Sequence, residues 1–92
     1  VVISPCMPTS PPRVDSKAGD ASDVGDAAPM LTFTAPFDYS GHPTLTLPLD
    51  LSASGLPRSF QFIGSRLGER RLIEIGLVIE AAIGFDQHPD LD

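Results

Sequence analysis

One cysteine, Cys6, occurs in 92 residues. That excludes an internal disulfide and with it the small secreted disulfide scaffold, so a reducing compartment, the cytoplasm, is the expected setting. Basic residues are also scarce, with six Lys and Arg against twelve Asp and Glu and a formal charge of −6. Binding phosphates needs the opposite balance, so neither nucleic acid nor a membrane surface is an expected partner. No apolar run reaches the roughly 20 residues that span a bilayer, and no basic, apolar leader opens the chain. Cys6, His42 and His88 are not at zinc-ligand spacing, and no glycine-rich phosphate cradle occurs. No metal and no cofactor are expected.

What the chain does have is a patterned stretch from Thr34 to Gly64. Leu45, Leu47, Leu49 and Leu51 alternate with Thr44, Thr46, Pro48 and Asp50, the period of a strand with one buried face. Residues 52–57 supply a turn. Ser59 to Ile63 then form a second strand with Phe60 and Phe62 on one face and Gln61 and Ile63 on the other. Pro48 lacks a ladder donor, so it marks an edge, a bulge or the end of pairing. Asp50 is expected to face solvent.

Before the hairpin, Val1, Val2 and Ile3 read as a short strand stopped by Pro5, central in its sheet with both faces covered. The prolines between Pro5 and Pro12 then stiffen an extended loop. Residues 13–29 hold few sizeable aliphatics and read as an acidic flexible linker. Asp15, Asp20, Asp23 and Asp26 within it lack the alternation and terminal Glu of a calcium loop. A short helix begins near Pro36 and closes at a left-handed Gly41. Asp38 and His42 flank it, and the reading weighs an acid–base couple against a capping Asp beside a loop His, preferring the latter.

The last element is a helix entered at Gly68 and ended by Gly84, with Phe85 able to fold back on Ile79. At about 100° per residue, Leu72, Ile75, Val78, Ile79, Ala82 and Ile83 make one apolar stripe meant for the sheet. Ile73 and Leu77 make a second patch, which implies a neighbour outside this chain. Gly76 implies close approach of another backbone.

The stretch containing Thr34, Pro36, Phe37, Gly41, Pro43, Leu45, Leu47, Pro48, Gly55, Leu56, Pro57, Gln61 and Gly64 resembles, in order and spacing, the C-terminal signature of the amidase signature family. The likeness extends to the strand and Pro/Thr-rich loop at the start and to the closing helix. It implies an α/β fold: a partial mixed sheet (the short N-terminal strand plus the β-hairpin) with a short helix and one C-terminal helix. Residues 1–12 then supply a strand and Pro-rich loop, 13–29 the linker, and 30–92 a helix–hairpin–helix segment. The expected partner is the remainder of an amidase domain, in keeping with a chain that starts at Val1 rather than Met.

The family hydrolyses carboxamide C–N bonds with a Ser, cis-Ser, Lys constellation, and none of it can be placed here. The single lysine, Lys17, sits in the acidic linker, where it stays charged. The serines, Ser4, Ser10, Ser16, Ser22, Ser40, Ser52, Ser54, Ser59 and Ser65, lack a base at any recognisable spacing. The chain alone is therefore expected to be inactive, contributing structure and pocket wall to an enzyme that takes a small amide. The resemblance names Met7, Thr9 and Phe37 as wall candidates. Leu31 stands where the glutamine-using amidotransferase branch has a substrate-gripping Asp, which points to a general amidase parent. The alternative is a degenerate stand-alone interaction module without enzymatic activity.

Overall fold

The computed structural model describes residues 1–11 and 28–91. The acidic stretch, with Lys17 and its aspartates, lies outside them as far as residue 27. Three strands, β1 (Val2–Pro5), β2 (Thr44–Leu51) and β3 (Pro57–Ile63), form a sheet in the order β1-β3-β2. Both pairings are antiparallel, so no parallel pair of the expected mixed sheet falls among the described residues. A parallel pair needs a crossover of a dozen or more residues, and the β2–β3 connection is a tight turn. Two helices, α1 (Ala35–Ser40) and α2 (Glu69–Ile83), complete a partial α/β arrangement.

β3 is the middle strand because it alone is buried on both faces. Phe62 points to α2 and joins Leu47 and Leu72 in a small core, with Leu45 and Ile79 packed against it. Gln61 and Ile63, on the opposite face by strand alternation, are buried as well. The expected central place of β1 is not what the structure shows: it is an edge strand running through Pro5, with Val2 and Ile3 exposed. Pro5 is tolerated there because an edge strand leaves some of its N–H groups without a ladder partner.

Pro48 does mark a bulge on an edge strand. The β2–β3 register runs Leu47↔Phe60 and Pro48↔Ser59, then skips Leu49 to give Asp50↔Arg58. One extra residue on β2 shifts every later pair. Leu47 is buried, whereas Leu49 and Leu51 beyond the bulge are exposed.

α1 starts with Pro36 in its first turn and ends at Gly41, whose φ of 70° requires the left-handed region that glycine enters without strain. α2 packs chiefly on β2. Its inward stripe is narrower than the sequence pattern suggests: Leu72 and Gly76 are buried, Ile75, Ile79 and Ile83 half-buried, and Val78 is 70% exposed. The reason is Gly76. A Cβ there would lie 2.2 Å from Leu45 Cδ2, so the helix seats its bare backbone on a side chain, not on another backbone as expected. That centres the contact on Leu72, Gly76 and Ile79 and turns Val78 about 120° away from it.

This seating gives a sign-reversing prediction. Gly76→Ala gains about 1 kcal/mol of helix propensity but overpacks Leu45 at about 1–3 kcal/mol, so a net loss of about 1 kcal/mol is expected in urea unfolding. In a Leu45→Ala background the same change becomes stabilising by about 1 kcal/mol. Equal effects in both backgrounds would contradict the contact.

Candidate functional site

The Pro-rich loop after β1 crosses in front of the β2–β3 hairpin, because Cys6 at its start is tethered to β2 by a Cys6 Sγ to Thr46 Oγ1 contact of 3.6 Å. Between loop and hairpin lies a cleft of about 760 Å³. Met7 and Thr9 stand on its wall, with Leu49, Leu56, Arg58 and Phe60 opposite. Phe37, the third wall candidate, is half-buried on α1 and lines neither this cleft nor the second, almost wholly apolar groove of about 300 Å³. That groove lies between the sheet and the end of α2, where Ile79 and Ile83 meet Ile3, Leu47 and Phe62.

The loop is anchored from below by Gln61. Its side-chain Nε2 donates to Ser4 Oγ at 2.9 Å, to Pro5 O at 3.3 Å and to Phe33 O. Two hydrogens serve three acceptors, so one amide ties β1, β3 and the segment before α1 together. Gln61 is 2% exposed, and among the described residues no buried side-chain nitrogen or oxygen is left without a partner.

Among the described residues one charged side chain, Arg58, lines the cleft. Its Nε donates to Asp50 Oδ1 at 2.6 Å and its second terminal nitrogen to Asp50 Oδ2. Asp50 is thus not simply solvent-facing. Donation from Arg58 holds the Asp50 carboxyl below the usual carboxylate range, so this pair persists to more acidic pH than a free aspartate's charge would.

Among the described residues the cleft offers hydroxyls from Thr9, Ser10, Thr46 and Ser59 but no Lys, His, Asp or Glu. None of the described side chains on its wall is a base that can take a proton from a serine. Ser52, also on the wall, shares a hydrogen bond with Ser54 and accepts from the Leu56 N–H, as a turn residue. The Asp38–His42 couple is not formed: His42 Nδ1 lies 2.8 Å from Ser40 Oγ, which also donates to Phe37 O at the end of α1. Among the described residues no group of three His, Cys, Asp or Glu could hold a metal ion. No helix among them is long and apolar enough to cross a membrane.

Sequence reasoning missed the Gln61 anchor, the Asp50–Arg58 pair and the Ser40–His42 contact. The second had a readable signal, since only a bulge at Pro48 brings Asp50 opposite Arg58. An unbroken register sets Leu49 there.

The amidase family model matches residues 1–73. The chain is 32% identical over 91 residues to a glutamyl-tRNA(Gln) amidotransferase subunit of Zymomonas mobilis subsp. mobilis, covering 97% of this chain and 18% of that protein. With the protein of the same name from Wolinella succinogenes the identity is 35% over 86 residues, 92% of this chain and 18% of the relative. A putative amidase, AmiD, of Mycobacterium bovis is 29% identical over 85 residues, again 92% and 18%. The chain spans 18% of the length of these relatives. Their identities do not favour the branch that Leu31 points to. No solved structure matches the chain.

Proposed function

The chain belongs to the amidase family, and from that premise we propose that it forms the C-terminal part of an amidase domain. The intact enzyme hydrolyses carboxamide C–N bonds, and this part supplies sheet, outer helix and pocket wall without supplying catalytic groups. Met7 and Thr9 are read as wall residues of a pocket for a small amide. Phe37 keeps that role only on a wall completed from outside these residues. The partner is the remainder of the domain, in the cytoplasm, with no nucleic acid or membrane surface involved.

One observation carries this reading, the apolar surface left wet on α2. Ile73 is 55% exposed, Leu77 61% and Val78 70%. Each forgoes a large part of the roughly 1.5–3 kcal/mol that burial would contribute, and a surface helix does not need a second apolar side. Leu67 adds to it: it is 91% exposed with φ at 59°, a left-handed conformation that disfavours leucine. A partner that covers this leucine would account for its exposure.

The test is a chimera in which residues 1–92 replace the matching segment of the mycobacterial putative amidase, assayed for ammonia release from simple carboxamides beside the isolated chain. A folded, active chimera and an inactive chain are expected. Turnover by the chain alone that is lost on replacing one of its own serines would overturn the proposal.

A further inference from the structure

We propose that Asp50 sets the charge selectivity of the cleft: by occupying the Arg58 guanidinium, it lets the cleft take an uncharged carboxamide and turn away a carboxylate. The inference rests on reading the cleft as the wall of an amide pocket. Among the described residues on that wall Arg58 is the one charged side chain. A guanidinium is a planar fork whose paired N–H groups match a carboxylate, and left free it would bind any carboxylate entering the cleft. Here one bidentate edge of the guanidinium, Nε and a terminal nitrogen, is already filled by both Asp50 oxygens, which also offset its charge.

Asp50 itself does not line the cleft. It neutralises Arg58 from outside, leaving hydroxyls such as those of Thr9, Ser10, Thr46 and Ser59 among the polar groups a carboxamide would meet. The side chains of Arg58 and Asp50 are 61% and 45% exposed, so the pair contributes little to folding. The bulge makes it possible, because skipping Leu49 is what sets Asp50 directly across from Arg58.

A consequence for turnover follows from the chemistry of the reaction. Adding water across a carboxamide C–N bond breaks that bond and leaves a carboxylate and an amine. An unclamped Arg58 would therefore hold product more tightly than substrate. Clamped, with one edge filled and its charge offset, it holds a carboxylate more weakly.

Amide-resolved NMR titration of the 92-residue chain with benzamide and with benzoate at equal ionic strength tests this. In the wild-type chain, benzamide is expected to shift the amides of Met7, Thr9 and Arg58, and benzoate to bind at least fivefold more weakly. Asp50→Asn should tighten benzoate about fivefold and leave benzamide unchanged, while Asp50→Asn combined with Arg58→Gln should lose the gain. Arg58→Gln alone, which leaves Asp50 unpaired, should weaken benzoate below its wild-type affinity. If benzamide binds but benzoate affinity is the same in the wild type and both single variants, the selectivity proposal is overturned and the pocket reading stands. If neither probe moves the cleft amides of the wild-type chain, the pocket reading falls and the proposal with it.

Discussion

Gln61→Leu is expected to lower the unfolding free energy by about 2–3 kcal/mol, although leucine has nearly the same volume and is apolar at a buried site. The loss comes from the acceptors. Phe33 O and Pro5 O, both part-buried contacts, receive from the Gln61 amide, and each carbonyl left without its donor costs up to about 1–3 kcal/mol to the extent that water does not replace it. Gln61→Glu distinguishes this from a packing effect. A carboxylate in that position is buried and faces the Phe33 and Pro5 carbonyls, with the Ser4 hydroxyl as the one group among these partners able to donate, so the folded state raises its pKa above the unfolded value of about 4.3. Its destabilisation is therefore complete above the raised folded pKa and eases as pH falls through it, when the protonated acid regains one donor. Urea midpoints followed by circular dichroism at pH 7 and pH 5 should show Gln61→Glu recovering at the lower pH and Gln61→Leu not. Equal pH responses would mean that the amide does not hold the loop.

The second large effect is expected at Leu72. Leu72→Ala removes one of the four buried hydrophobics among the described residues, itself 3% exposed, and a loss of about 3 kcal/mol within the usual range of about 2–5 is expected. A core this small leaves the chain a stability of only a few kcal/mol. The amide spectrum of Leu72→Ala should accordingly collapse toward the unfolded shifts. Val78→Ala on the same helix, at an exposed position, should move the urea midpoint by no more than about 0.5 kcal/mol equivalent. Comparable losses at the two positions would contradict the way α2 is seated.

The contrast between those two residues shows where the sequence was legible. Glycine and proline act through their own backbone, so the closure of α1 at Gly41, the end of α2 at Gly84 and the bulge at Pro48 could all be read locally. The exposed pair Ile73 and Leu77 was readable from angle alone. The inward stripe was not, because its centre depends on where a glycine meets Leu45 across the fold. Nor was the edge position of β1, since β-branched residues fit a covered strand as well as an uncovered one. Gln61 reads as an ordinary polar alternation until β1 and the segment before α1 converge on it. At the candidate site the family resemblance pointed to the loop; Met7 and Thr9 line a cleft there, and Phe37 does not, a placement that depends on tertiary packing.

The central claim is that the outer side of α2 is built to be covered by the rest of an amidase domain. Sedimentation velocity of the 92-residue chain, run with an environment-sensitive apolar dye, tests it most directly. Dye binding or self-association is expected, reduced severalfold by Ile73→Lys with Leu77→Lys while the circular dichroism spectrum is kept. A compact, dye-silent monomer that melts cooperatively, unaltered by the two lysines, would contradict the account.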